Sequence, residues 1–155
     1  MRDWKRITRA CVFDGLQADV REAISAHITR YKLGDILADS LMCVETTSEK
    51  IKKGLPGGGD RTVLVAAVIT PRWLVWGIRG DRSGVRVMSA RLEDVVIQDY
   101  TATQFANMIP DTGIEVSGSF TDVSERGAAF LGLGEEPPAR KFKHTVLEAA
   151  QAAKK

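Results

Sequence analysis

The chain has 155 residues, 44% of them hydrophobic and 27% charged, with 22 Lys and Arg against 20 Asp and Glu and a formal net charge of +2. That apolar share excludes a disordered chain, and no apolar run reaches the roughly 18–20 residues that span a bilayer. The charge balance is too even to force a nucleic-acid or membrane partner, and the length fits one domain with an appended arm.

In chain order, the N-terminal third reads as a helical arm over residues 1–41. Leu16, Val20, Ala23, Ile24, His27, Ile28 and Tyr31 recur at three- and four-residue steps with no Gly or Pro between Gln17 and Tyr31. Asp14 or Gly15 is placed to open this helix and Gly34 to stop it, with a short second helix from Asp35 to Leu41. The pattern changes at Met42. Cys43 to Ser48 is rich in β-branched residues and reads as a strand, and Gly54 to Asp60 is a break. Thr62 to Thr70 is short, apolar and bounded by breakers, as expected for a strand buried on both faces.

Pro71 sets a tight turn into a strand from Trp73 to Arg79, and a loop over Gly80–Gly84 returns as a strand from Val85 to Ala90. Further strands are expected over Leu92–Gln98, Gly113–Phe120 and Arg126–Leu133, with an irregular connection from Thr101 to Pro110. Pro137 and Pro138 then suit the first turn of an amphipathic helix whose apolar stripe is Ala139, Phe142, Val146, Ala149, Ala150 and Ala153. The count from Cys43 is about seven short strands and a helix, which is placed to plug the open end of a small sheet.

This order resembles bacterial pleckstrin-homology-like domains over residues 42–153. Thr70-Pro71-Arg72-Trp73-Leu74 is similar to that family's polar turn into an aromatic-rich strand, Leu92 to Ile97 to its "L-x-D-I" strand, and Gly113 to Gly118 to its "G-I-x-I-x-G" strand. The resemblance implies an α+β fold in which a split seven-stranded antiparallel barrel is closed by the C-terminal helix. It implies no catalysis, because such domains bind proteins, peptides or phosphorylated lipids and often self-associate.

The chemistry-bearing residues are few. His27 and His144 fall on predicted helices with no partner carboxylate legible, and neither Cys11 nor Cys43 sits in a catalytic signature. No catalytic residue, metal ligand or cofactor is expected; zinc would need ligand clusters, and there is no CxxC and no paired His. One disulfide is arithmetically open between the two cysteines, but nothing suggests a stapled secreted scaffold. The charged N-terminus is followed by no apolar stretch of the kind a secretory signal needs, so cytoplasmic residence with reduced thiols is expected, with or without peripheral contact at the inner membrane face.

Two surfaces compete as functional sites. Trp73 and Trp76 fall on opposite faces of one strand, so one of them needs cover from the N-terminal helices or from another chain. With Leu16, Val20, Ile24 and Ile28 they are the expected contact of a non-enzymatic protein-interaction or self-association module. Lys50, Lys52, Lys53 and Arg61 flank the glycine loop, where lipid-binding relatives hold phosphoinositide head groups. They are the alternative, a peripheral binder of anionic lipid or other phosphorylated ligands, although the Lys-x-Arg pair of those relatives is missing. Nucleic acid is not expected, because aromatics for stacking bases are only 6% of the chain.

Overall fold

The computed structural model describes residues 3–51 and 59–155, and within them the chain is α+β. Five antiparallel strands form one sheet in simple chain order: β1 (Trp4–Ala10), β2 (Met42–Lys50), β3 (Thr62–Ile69), β4 (Trp73–Gly80) and β5 (Val85–Arg91). Three more, β6 (Val95–Asp99), β7 (Gly113–Gly118) and β8 (Gly127–Gly132), form a second antiparallel sheet. Helix α1 (Ala18–Arg30) lies between β1 and β2 in sequence, and α2 (Pro137–Ala153) ends the fold.

Alternation along β3 explains the layering. Val65, Ala67 and Ile69 point into the main core with Leu74 and Trp76 of β4, residues of the second sheet, and Phe142 and Val146 of α2. Leu64, Ala66 and Val68 point to the other face, where Leu16 and the α1 residues Val20, Ile24 and Ile28 cover them. Both faces of the most apolar strand are therefore dry, as its composition requires.

The expectation of a wholly helical arm fails at its start. Residues 4–10 are a strand, paired with β2 from Trp4 opposite Lys50 to Ala10 opposite Val44. Lys5, Arg6 and Arg9 hide its period-two pattern in the sequence, because Arg6 is turned inward and neutralised rather than solvated. The short second helix is a 3-10 turn over Ile36–Asp39, and Leu41 lies beyond it, exposed. The strand expected from Leu92 begins at Val95, after a 3-10 turn over Leu92–Asp94.

That turn carries the chain from one sheet to the other. Among the described residues no ladder joins β5 to β6, and the sheets do not close into one barrel. Helix α2 fills the space between them, burying Ala139, Phe142, Val146, Ala149 and Ala150. Opposite Val95 in the β6–β7 ladder, Gly118 has φ +140°, and a side chain there would collide with the Asp94 carbonyl oxygen. Only glycine fits.

Candidate functional site

The connection from β6 to β7 presents Phe105, Met108 and Ile109 at 52%, 80% and 58% exposure. These large apolar side chains sit on a short 3-10 segment, Gln104–Asn107, and just beyond it. The segment is held from below at two points. The Tyr100 hydroxyl donates to the Ile109 carbonyl at 2.7 Å, and the Arg6 guanidinium forks onto Asp111, with Nε on Oδ1 at 2.8 Å and Nη2 on Oδ2 at 2.6 Å.

Arg6 is the hub of this surface. Its third donor reaches the Ser48 hydroxyl at 2.7 Å, and its charge lies 5.4 Å from the Trp4 ring centre and 5.3 Å from that of Phe130. Phe130 in turn meets Tyr100 edge to face at 4.9 Å. A continuous seam runs from Trp4 through Arg6, Phe130 and Tyr100 to the exposed loop. Beside it an open groove of about 750 Å³ runs along edge strand β1, lined in part by Trp4, Ile7, Ile51 and Gly134. Two charge pairs border this surface, Asp111 with Arg6 and Asp99 with Lys143 at 2.8 Å, and Lys5, Glu135 and Glu136 also line the groove.

The interaction residues expected from sequence are placed elsewhere. Leu16, Val20, Ile24 and Ile28 are buried against the sheet of their own chain, and Trp76 is fully enclosed in the main core. Trp73 packs on the α1 side and carries Arg91 over its ring at 5.4 Å. The cover demanded for an outward Trp is intramolecular, so these six residues offer no contact surface as a group. Trp73 alone keeps a partly open edge. It lines a cleft of about 520 Å³ with Arg72, Arg91, Glu93 and the end of α2.

Of the anion-site residues, Lys52 and Lys53 lie outside the described residues. Lys50 and Arg61 are exposed and adjacent, with the Lys50 N–H donating to the Arg61 carbonyl at 2.8 Å. Two carboxylates share their neighbourhood. Asp81 accepts from the backbone N–H of Arg61 and Thr62, while Asp60 accepts from the Arg82 and Ser83 N–H groups and the Ser83 hydroxyl. These bonds, led by the Ser83 hydroxyl, hold Asp60 below its ordinary pKa. They clasp the β4–β5 turn to the start of β3 and set negative charge beside the two cations.

His27 is buried on α1, with Nε2 2.8 Å from the Ser89 hydroxyl and its ring 4.8 Å from that of Tyr31. Burial holds the imidazole below its ordinary pKa, against the opposing charge of Asp122 and with a small further push from Arg30. Ser89 is fully enclosed, so the pair gives a nucleophile no route to substrate. His144 is exposed and paired with Glu148 one turn on. Among the described residues no group of three or more His, Cys, Asp and Glu side chains is placed to hold a metal ion, and no helix is long and apolar enough to cross a membrane.

Sequence reading passed over Phe105, Met108, Ile109 and Arg6. The first three stand in an irregular stretch without periodicity, and the fourth in the charged N-terminal segment assigned to the helical arm. Comparison of the chain with protein-family models, curated proteins and solved structures finds no match.

Proposed function

We propose that this chain is a non-enzymatic interaction module that self-associates through the face formed by the β6–β7 connection and the β1 groove. Presentation of Phe105, Met108 and Ile109 on an anchored segment carries the reading. Burying one such side chain is worth about 1.5–3 kcal/mol, so three held in one place make a contact that a disordered loop would not. A second copy is the occupant that fits. Two charge pairs bordering the patch are closed within the chain, and the groove itself carries both signs, Lys5 with Glu135 and Glu136, so a second copy meets no patch of a single sign.

The framework we propose is an open pleckstrin-homology-like fold over residues 42–153. Four strands (β2–β5), three strands (β6–β8) and a closing helix α2, in that chain order, support it. Strand β1 and helix α1 are then additions, one extending the first sheet and the other covering its outer face.

Sedimentation velocity across a concentration series tests the proposal. The wild type is expected to dimerise, and the triple variant F105S/M108S/I109S to stay monomeric with an unchanged unfolding midpoint. A wild type that remains monomeric at the highest soluble concentration overturns self-association.

The adjacency of the exposed Lys50 and Arg61 supports a second reading, attraction to anionic lipid head groups. Among the described residues neither forms an ion pair. Co-sedimentation with anionic and neutral vesicles at low and high salt, wild type against K50E/K52E/K53E, decides it. Salt-sensitive binding lost in the variant favours this reading, and absence of binding leaves an ordinary solvated face.

A further inference from the structure

We propose that Cys11 and Cys43 form a reversible oxidation site, a cross-strand dithiol that closes to an intramolecular disulfide by exchange with a small-molecule disulfide. The two Sγ atoms are 3.8 Å apart, and the Cys11 N–H donates to the Cys43 carbonyl at 3.0 Å. The β1–β2 register runs to Ala10 opposite Val44, which makes Cys11 and Cys43 the next directly opposed pair. Directly opposed hydrogen-bonded residues in antiparallel strands have Cα atoms about 5.5 Å apart, within the range a disulfide spans. Closing the bond asks for a small side-chain movement and no change of register.

The two thiols are unequal in a way that orders the reaction. Cys11 is half-exposed at the end of β1, whereas Cys43 is buried against the α1 side of the sheet. The Cys43 hydrogen bond lowers the Cys11 pKa and the Arg9 charge adds to this against burial, while that hydrogen bond and burial push Cys43 far up. Cys11 is the attacking thiolate and Cys43 the resolving thiol.

In the first step Cys11 Sγ⁻ attacks one sulfur of the small disulfide, a new S–S bond forms and one thiolate leaves. In the second, Cys43 gives its proton to solvent base and attacks the Cys11 sulfur, expelling the second thiolate. Two protein thiols are oxidised to one disulfide and the small disulfide is reduced to two thiols. The bond would bracket residues 12–42, the segment that carries α1, into one covalent loop lying over the sheet.

The test equilibrates the reduced, native full chain with mixtures of oxidised and reduced glutathione, followed by intact mass and peptide mapping. The expected product has lost two hydrogens, carries a Cys11–Cys43 link, reverts with dithiothreitol and melts higher by roughly 10 °C. Cys43→Ser should instead stop at a stable glutathione adduct on Cys11. A wild type that accumulates that same adduct with Cys43 free, or that stays fully reduced in excess oxidised glutathione, overturns the proposal.

Discussion

Arg6 and Asp111 are 105 positions apart in sequence, yet meet as a two-point fork that ties edge strand β1 to the turn entering β7. Their side chains are only 9% and 12% exposed, so neither charge has water to fall back on. Arg6→Ala leaves Asp111 without its counter-charge, and Asp111→Ala strands the guanidinium between two aromatic rings. Each is expected to cost about 2–4 kcal/mol in urea unfolding, toward the lower end of what breaking a buried pair costs. Arg6→Lys should recover less than half of that, because an ammonium cannot make the fork. In Asp111→Ala, amide exchange should also quicken from Phe105 to Ile109, the segment the fork anchors.

Gly77 and Val20 set how closely α1 approaches the sheet. A Cβ at Gly77 would lie 2.9 Å from Val20 Cγ1 and 3.5 Å from Ile24 Cγ1. Both neighbours are fully buried, so neither swings away freely. Gly77→Ala is expected to destabilise by about 1–3 kcal/mol through overpacking. Val20→Ala alone should cost a comparable amount by leaving a cavity. The double variant should lose less than the sum, and a strictly additive cycle would show that α1 does not seat on Gly77.

The end of α1 makes a second backbone prediction. The Leu33 N–H donates to the Ile28 carbonyl at 3.0 Å and the Lys32 N–H to the Thr29 carbonyl at 3.3 Å, a Schellman closure. It places Lys32 in the left-handed region at φ 55°, where a side chain is strained. Lys32→Gly is expected to raise stability by about 0.5–1 kcal/mol, measured as a higher urea midpoint with an unchanged slope.

His27 gives the fold an acid-sensitive point in the mildly acidic range. Its folded pKa lies below its ordinary value chiefly because of burial, with Asp122 opposing and Arg30 adding to the shift. Between the two pKa values the unfolded chain binds more protons. The stability from keeping the ring neutral is therefore full above about pH 6.5 and is lost as the pH falls. Urea midpoints at pH 7.5 and 5.5 should separate in the wild type and converge in His27→Gln, whose amide can keep the Ser89 bond. The depressed carboxylates of Asp19 and Asp60 act in the same sense but lower down: their contribution persists above about pH 4 and fades only below it.

Periodicity and punctuation in the sequence determined the seven strands from Met42 onward, α1 and α2 to within a few residues. Those signals are local: alternation in β7, the apolar run of β3, the proline pair at Pro137 and Pro138. They also called for cover on both faces of β3. What they could not carry was which group supplies the cover or the caps. The N-cap of α1 is Gln17, whose N–H donates to the Glu45 carboxylate on β2 at 2.9 Å, and the nearby Asp14 and Gly15 do not open the helix. Strand β1 exists because its backbone pairs along β2 and because Glu136 and Thr46 satisfy Thr8, partners 128 and 38 residues away. The burial of Leu16, Val20, Ile24 and Ile28 within the chain, the exposure of Phe105, Met108 and Ile109, and the meeting of Cys11 with Cys43 were likewise tertiary decisions. A side chain's sequence neighbours set its local geometry, but its solvent exposure and its charge partner come from segments brought to it only when the chain folds.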